Sequence, residues 1–159
     1  MNKSIYRLDS RFKWELHSSD SNSLIFIRQE IDLLDHLYPN IKQWYKNTFS
    51  VGFFKKQRKL LLIKDMEGEL AAFSLLKDTE FEKKICTLYV CPTFRESGIG
   101  NKLVPSSVNL LGEKNIGITV SQDVNPLLES LLKTNSFEVN QVENGLYLPN
   151  KKEFFYKLY

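Results

Sequence analysis

The stretch that decides the fold is Ile85-Cys86-Thr87-Leu88-Tyr89-Val90, followed after a break at Pro92 by Arg95-Glu96-Ser97-Gly98-Ile99-Gly100. The first six residues are typical of a strand, and the residues after Gly100 have the apolar spacing of a helix. Backbone N–H groups in the first turn of a helix lack intrahelical partners and lie at the positive end of the helix dipole. The order of strand, glycine turn and helix therefore predicts a pyrophosphate-binding site.

Two common nucleotide-binding motifs do not fit this turn. The P-loop requires Gly-Lys-Ser/Thr after a four-residue gap, and the dinucleotide fingerprint requires a third glycine. Here Gly100 is followed by Asn101-Lys102-Leu103. The sequence therefore indicates neither motif.

The turn instead matches R-x-x-G-x-G, and with Val90-Cys91-Pro92 before it the stretch resembles the coenzyme A signature of the GNAT acetyltransferase superfamily. The resemblance implies acetyl-CoA as co-substrate. It also implies that the backbone of Leu88, Tyr89 and Val90 pairs with the pantetheine amides. Lys102 would be in reach of a phosphate. The residues that would hold the pyrophosphate are those of the turn and the first helical turn: Arg95, Glu96, Ser97, Gly98, Ile99, Gly100, Asn101 and Lys102.

Apolar patterning predicts the order β, α, α, β, β, β, α, β, α, β, β. The strands are expected over 24–27, 60–63, 70–76, 85–90, 116–121, 137–142 and 153–159. The helices are expected over 31–38, 40–45, 99–111 and 126–134. Pro105 falls inside the third helix, where we expect a kink or an irregular turn.

This order resembles a GNAT domain over residues 24–159. The implied fold class is α/β (α+β), with a mixed, mostly antiparallel sheet of about seven strands and helices on both faces. The sheet would be splayed where the strand through Val90 parts from the strand through Val120. We expect one GNAT-like acyltransferase domain over 1–159, in which residues 1–22 form an N-terminal segment that the pattern does not place.

Composition narrows the cellular setting. No apolar run approaches the roughly 20 residues of a membrane span, and the N-terminus leads into charged sequence, so we expect a cytoplasmic protein without membrane contact. Cys86 and Cys91 lie five residues apart on one predicted strand, roughly 17 Å, and read as reduced thiols. The formal net charge of +3 is too small to argue for nucleic acid by itself.

A second resemblance keeps RNA among the candidate partners. Residues 118–121 with Pro126 and Leu131-Leu132 are similar to a bacterial and phage branch of GNAT proteins, some of which carry an RNA-binding-like ASCH domain. This chain has no room for that domain. The basic run Lys55-Lys56-Gln57-Arg58-Lys59 is compatible with RNA contact, or with a solvated hairpin edge whose lysines discourage sheet pairing.

Acetyl transfer to an amine needs a proton acceptor, an oxyanion site and a proton for the leaving thiolate. In many GNAT enzymes a tyrosine supplies that last proton, within a pattern running from Asn to Gly-Phe. Asn125 and Phe137 match the ends of this pattern, but Leu132 occupies the tyrosine position and Ser136 the glycine position. The catalytic residues are therefore unknown. Tyr89 and Cys86 remain as candidates, although Tyr89 is also interpretable as a core or rim aromatic residue and Cys86 as a small buried residue.

The proton acceptor is equally open. Three glutamates border strands near the expected acceptor groove, although each also reads as a solvated side chain: Glu69, Glu80 and Glu82. His17 and His36 are isolated from one another and read as solvent-facing. Neither belongs to a cluster with metal-ligand spacing, so no metal site is expected.

These observations predict an acetyl-CoA-dependent N-acetyltransferase that works by direct attack of an acceptor amine. The acceptor is a small molecule, a protein amine or, in a toxin-like enzyme, an aminoacyl-tRNA. The alternative is a non-catalytic acetyl-CoA-binding sensor or interaction module, which Leu132 keeps open. A homodimer is the default for the superfamily.

Overall fold

The computed structural model describes residues 2–9, 11–36 and 38–159, the first range by its backbone alone. The strands are β1 (Asn2–Asp9), β2 (Phe12–Ser18), β3 (Arg58–Asp65), β4 (Leu70–Asp78), β5 (Lys83–Val90), β6 (Ile116–Ser121), β7 (Glu138–Asn144) and β8 (Lys152–Leu158). The helices are α1 (Ser21–Phe26), α2 (Arg28–Leu33), α3 (Ile41–Trp44), α4 (Ser50–Phe54), α5 (Gly100–Leu110) and α6 (Asn125–Thr134). A π-helical turn, Tyr45–Phe49, joins α3 to α4, and a 3₁₀ turn, Pro92–Phe94, follows β5.

The described strands form one sheet in the order β1-β2-β3-β4-β5-β6-β8-β7. All neighbouring strands are antiparallel except β5 and β6, which are parallel. The mixed, mostly antiparallel sheet flanked by helices is confirmed. It has eight strands where the sequence suggests about seven.

The predicted first strand over 24–27 is wrong, because this run belongs to helix α1 and the residue that follows it. Leu24 and Ile27 are buried, and their spacing of three places both on one helical face. Asp20 caps the helix, since its side chain accepts a hydrogen bond from the Ser23 N–H at 3.2 Å. The cap, which lies outside the apolar run, decides between helix and strand here.

The N-terminal segment supplies the two strands that the sequence pattern does not place. β1 pairs with β2, and β2 pairs with β3, so that Trp14 lies opposite Ile63. Trp14 is fully buried, packed with Leu61, Ile63 and residues of α5. The segment is therefore an integral part of the sheet and not an appendage.

The sheet is splayed between its two parallel strands, as the resemblance implies. β5 and β6 pair only over Lys83–Ile116, Lys84–Gly117 and Ile85–Ile118. Both strands then continue, β5 to Val90 and β6 to Ser121, without pairing to each other. The inner edges of β5 and β6 beyond Ile85 are therefore available to a ligand.

A β-bulge lies where the splay begins. On β4, Leu75 and Leu76 are consecutive, but their partners on β5 are Thr87 and Ile85. Cys86 is the extra residue. A bulge bends its strand and changes the direction of the backbone groups next to it, which favours the separation of β5 from β6.

The two faces of the sheet carry separate cores. Alternate residues of β3 and β4, including Leu60, Leu62 and Phe73, pack under helices α1 to α4. The opposite face packs against α5 and α6, with Ile118 and Leu132 among the buried residues. Helix α5 continues through Pro105 as one element, so the chain does not form an irregular turn there. None of the helices in the described ranges is long and apolar enough to span a bilayer.

Candidate functional site

The signature turn and helix α6 form a groove on the α5–α6 face of the sheet. Its volume is about 370 Å³. The turn contributes Glu96, Gly98, Gly100 and Asn101, and α6 contributes Leu127, Ser130, Leu131 and Thr134. The groove therefore brings part of the predicted pyrophosphate-binding turn against the helix that follows the splay strand.

The backbone of the turn is shaped for close contact with a ligand. Gly98 has φ +86°, in the left-handed region that glycine adopts without strain. The N–H groups of Gly98, Gly100 and Asn101 donate no hydrogen bond within the described chain. Arg11 donates a hydrogen bond to the Ser97 carbonyl at 3.1 Å, which ties the turn to the N-terminal hairpin. The turn thus presents unpartnered donors at the start of α5.

Arg95 lies at the edge of the predicted pantetheine strand. Its Nε donates a hydrogen bond to the Val90 carbonyl at 3.1 Å. This contact fixes the turn to the end of β5, while Leu88 and Tyr89 lie on the part of β5 that is unpaired on the β6 side.

A second cavity of about 260 Å³ lies on the opposite face, under α3. Its lining comes from the segment around α3, from β3 to β6 and from the loop between β7 and β8: Tyr38, Pro39, Asn40, Ile41, Trp44, Arg58, Lys77, Glu82, Lys84, Cys86, Thr87, Thr119 and Tyr147. Cys86 and Thr87 lie at the bulge, and Thr119 lies on β6 just beyond the last paired residue. We call this space the acceptor cavity, because it opens on the splay from the side opposite the signature turn.

Glu153 is a buried carboxylate beside this cavity that the sequence analysis missed. It is 0% exposed, and neither of its oxygens has a hydrogen-bond partner within the described residues. Ser121, directly opposite on β6, also has a buried hydroxyl without a partner. An alternating pattern on a closing strand gives no signal that such a side chain points inward beside a cavity.

The electrostatics around Glu153 connect it to two cavity-lining tyrosines. Burial, and then the charge of Asp123, raise the pKa of Glu153. Burial, and then the charge of Glu153, raise the pKa of Tyr38 to about 12 and also raise that of Tyr147. These three groups therefore form one polar unit, in which both tyrosines remain protonated at neutral pH.

The two catalytic candidates from the sequence are placed differently. Cys86 lines the acceptor cavity at the bulge, and burial is the main reason that the pKa of its thiol is raised. It is therefore a thiol at neutral pH and not an activated nucleophile. Tyr89 packs on Phe73 with ring centroids 5.3 Å apart, and burial raises the pKa of its hydroxyl. A weaker acid is a poorer proton donor to a thiolate.

The tyrosine-like position on α6 is occupied by core. Leu132 is fully buried among the residues that pack α5 and α6 on the sheet. Asn125, which begins the pattern, accepts a 2.6 Å hydrogen bond from the buried Tyr156 hydroxyl. Asn125 therefore has a structural partner, and the usual position of the proton donor is filled by an apolar core residue.

The proton-acceptor candidates from the sequence are mostly solvated. Glu69 and Glu80 are exposed and do not line the acceptor cavity. Glu82 does line it, in an ion pair with Lys77 at 2.8 Å. That hydrogen bond is the main cause that lowers the pKa of Glu82, which makes it a poor base.

The prediction that both histidines face solvent is wrong for His17. His17 is buried, with Nε2 at 2.9 Å from Glu15 and Nδ1 at 2.9 Å from Asp20. His36 is exposed, as expected. In the described part of the chain no three His, Cys, Asp or Glu side chains converge as metal ligands would.

The basic run 55–59 is divided by the fold. Lys55 and Lys56 are exposed, but Lys59 forms an ion pair with Asp78 and Arg58 turns into the acceptor cavity. β3 lies inside the sheet between β2 and β4, so the interpretation of the run as a hairpin edge is wrong. The run is not one continuous basic surface.

Comparison with known proteins defines the class of this fold. No protein-family model matches the sequence, and no curated protein is similar to it. A Desulfovibrio desulfuricans protein described as an acetyltransferase of the GNAT family is similar over 92% of this chain and 98% of its own, with 13% identity and a TM-score of 0.71. The fold of this chain is therefore the GNAT acetyltransferase fold.

Two solved enzymes share the fold over nearly their whole length. The ribosomal-protein-S18-alanine N-acetyltransferase from Escherichia coli is 16% identical over 91% of this chain and 92% of its own, with a TM-score of 0.72. Spermidine N-acetyltransferase from Vibrio cholerae, solved in complex with CoA and spermine, is 12% identical over 94% and 96%, with a TM-score of 0.68.

Proposed function

We propose that this protein is an acetyl-CoA-dependent N-acetyltransferase. The observation that carries the proposal is the splay between β5 and β6, which has the signature turn on one face and the acceptor cavity on the other. A donor and an acceptor that enter from opposite faces would meet at the bulge of Cys86. The similar solved enzymes include one with CoA bound.

The donor would lie along β5 and in the groove of the signature turn. Leu88, Tyr89 and Val90 would pair with the pantetheine amides, and 95–102 would hold the pyrophosphate. The support is the unpaired edge of β5 and the three unpartnered N–H groups of Gly98, Gly100 and Asn101. These residues are exposed or partly exposed, so their N–H groups are accessible to a phosphate at the first turn of α5.

The chemistry is direct attack of the acceptor nitrogen on the thioester carbonyl. The nitrogen forms a bond to the acetyl carbon, the carbon–sulfur bond breaks, and the sulfur leaves as thiolate. Backbone N–H groups near the bulge would stabilise the oxyanion. Because the pKa of the Cys86 thiol is raised, no acetyl-cysteine intermediate is proposed.

Glu153 is our candidate for the residue that takes the proton from the acceptor ammonium. Its raised pKa brings it closer to that of a base at neutral pH, and its charge acts on Tyr38 and Tyr147, which line the cavity. A proton would pass from the amine through a tyrosine hydroxyl or a water to the carboxylate. The leaving thiolate would be protonated from solvent, since Leu132 cannot donate.

The similar solved enzymes act on different classes of acceptor. One acts on the alanine of a ribosomal protein and one on spermidine. For this chain the candidates are a small molecule, a protein amine and an aminoacyl-tRNA. We further propose a cytoplasmic location, which fits its two free cysteines, and a homodimer.

A non-catalytic acetyl-CoA-binding module remains the second candidate. Leu132 favours it, because the position used by many GNAT enzymes for the leaving-group proton is filled by core. Such a module would bind acetyl-CoA and gain thermal stability, yet release no free thiol above background.

Labelled acetyl transfer from acetyl-CoA into a cell lysate tests the proposal. The lysate is then separated into small molecules, protein and RNA. Label above that of the Gly100→Glu variant would establish an enzyme, and the labelled fraction would name the acceptor class. Coenzyme-dependent stabilisation without label in any fraction would contradict turnover and support the second candidate.

A further inference from the structure

Three cationic side chains lie side by side across neighbouring strands on the wall of the acceptor cavity. Arg58 on β3 is directly opposite Lys77 on β4, and Lys77 is directly opposite Lys84 on β5. All three line the cavity, and we call them the cationic row. Like charges directly opposite one another destabilise a sheet, so this arrangement costs stability unless an anion offsets it.

The protein itself supplies only part of the negative charge that would offset the row. Glu82 is the one acid in the cavity lining, and it pairs with Lys77 at 2.8 Å. No carboxylate in the described ranges forms an ion pair with Arg58 or Lys84. The single charge of Glu82 is therefore shared by three cations: it pairs with Lys77, and the charges of Lys84 and Arg58 also help to lower its pKa.

Arg58 is also held in place before any ligand binds. Its guanidinium carbon lies 5.6 Å from the centre of the Trp44 ring, and its Nη1 lies 3.4 Å from Cys86 Sγ. A Cβ added at Gly52 would come within 3.0 Å of its Cδ, so the glycine makes room for the side chain. A fixed guanidinium with free donors is suited to bind a carboxylate or a phosphate.

We propose that the acceptor is a small amine that also carries an anionic group, a carboxylate or a phosphate, which the cationic row binds. This inference rests on the proposed acetyltransferase function and names its acceptor class. Because Arg58 contacts Cys86 at the bulge where the acetyl transfer is proposed, one small molecule could carry both the bound anion and the reacting nitrogen. A cavity of about 260 Å³ fits a molecule of amino-acid size. A polyamine would be repelled.

Matched pairs of acceptors test this proposal in the purified protein. The probes are amino acids against their carboxamides, phosphoethanolamine against ethanolamine, and spermidine, each assayed by thiol release from acetyl-CoA. We expect the KM of the preferred anionic probe to be at least tenfold below that of its neutral partner. The carboxylate and phosphate pairs identify which anion is used.

Variants of the row separate recognition from structure. Arg58→Met and Lys84→Met should each raise the acceptor KM at least tenfold and leave the KM of acetyl-CoA unchanged. The melting temperature of Lys84→Met should stay the same or rise, because a like-charge contact is removed. Lys114→Met, which removes an exposed charge from the loop before β6, is the control and should change neither KM.

Three results would overturn the inference. These are equal or better use of the neutral amines or spermidine, row variants with unchanged acceptor KM, and lysate label found in RNA or protein. If no probe is acetylated, we would measure binding of the anionic probes by calorimetry with CoA present. If none of them binds in a way that depends on Arg58, the inference is refuted, whatever the lysate shows. Anion binding that depends on the row, without acetyl transfer to any fraction, would instead refute the proposed function alone.

Discussion

Among single residues, Leu132 and Glu153 together describe how this chain departs from the usual catalytic arrangement. Leu132 fills the core where many GNAT enzymes have a tyrosine, while Glu153 leaves a carboxylate buried and unpartnered on the other face. Leu132 is visible in the sequence because the pattern around it defines its position. Glu153 is not visible, since its neighbours come from distant parts of the chain: Ser121 lies opposite it on β6, and its charge acts on Tyr38.

Replacing Glu153 by Gln tests the buried carboxylate. Its folded-state pKa is raised, so the folded protein holds a proton that the unfolded chain releases, and stability falls as pH rises from about 4.5 through the folded pKa. Glu153→Gln should remove this fall, so that its stability relative to the parent protein increases from pH 4.5 to pH 7. Melting temperatures from pH 4.5 to 7.5 measure it; parallel curves for the two proteins would contradict a raised pKa.

The same variant has a second, opposite effect if Glu153 is the proton acceptor. Turnover of the parent protein should rise with pH through the Glu153 pKa, whereas Glu153→Gln should lose about 10²-fold or more of kcat and that pH limb. Glu80→Gln, an exposed carboxylate outside the cavity, is the matched control. A Gln variant that is more stable and equally active would assign Glu153 no part in proton transfer.

The signature turn allows a charge test at Gly100. A Cβ built there meets nothing within 4 Å, so a larger side chain fits the fold. Gly100→Glu should weaken acetyl-CoA binding at least tenfold through repulsion of the pyrophosphate, and Gly100→Gln, of the same size, should weaken it less. Calorimetric titration with CoA measures both. Equal affinities for a folded Glu variant and the parent would refute the placement of the pyrophosphate.

Among the elements, β5 and α5 show where sequence patterns succeed and where they do not. The strand, the turn and the helix were predicted because each has its own local signal. The bulge at Cys86 was not, because the run 85–90 has no glycine or break to mark it. The length over which β5 pairs with β6 depends on both strands, and no local pattern contains it.

Helix α5 gives a prediction about stability. Pro105 is exposed inside the helix and cannot donate to the Asn101 carbonyl. Pro105→Ala should restore that hydrogen bond and stabilise the helix. Part of this gain is lost, because proline also restricts the unfolded chain and alanine does not. We expect the free energy of unfolding to increase by about 2 kcal/mol in total. The melting temperature should rise by about 4–8 °C. Asn109→Ala in the same helix is the control, and no rise would indicate that the helix needs the proline.

On the scale of the whole molecule, the sheet separates two packed layers of helices, and the splay between β5 and β6 is a gap in that sheet. Helices α1 to α4 cover one core and α5 and α6 the other. The two proposed ligands would enter from these opposite faces and would both contact the gap between β5 and β6. Their binding should therefore make the strand segments at this gap more ordered.

Coenzyme binding should therefore stabilise the whole chain. At 100 times its Kd, acetyl-CoA should add about 2.7 kcal/mol, which corresponds to about 5–11 °C in melting temperature. Hydrogen exchange should slow most in β5 beyond Ile85 and in the first turn of α5. Gly100→Glu provides the comparison, and protection spread evenly over all strands would contradict a donor site in the splay.

The proposed donor site is readable from the sequence. The signature turn, the strand before it and the helix after it are contiguous in the chain, so a local pattern contains them. The cavity proposed for the acceptor is visible only in the folded chain. Arg58 and Lys84 lie on different strands and line one cavity because the register of the sheet aligns them, and Glu153, on a third strand, acts electrostatically on the lining residues Tyr38 and Tyr147. The sequence shows that each of these side chains is charged. Which residues surround them depends on strand pairing between distant parts of the chain.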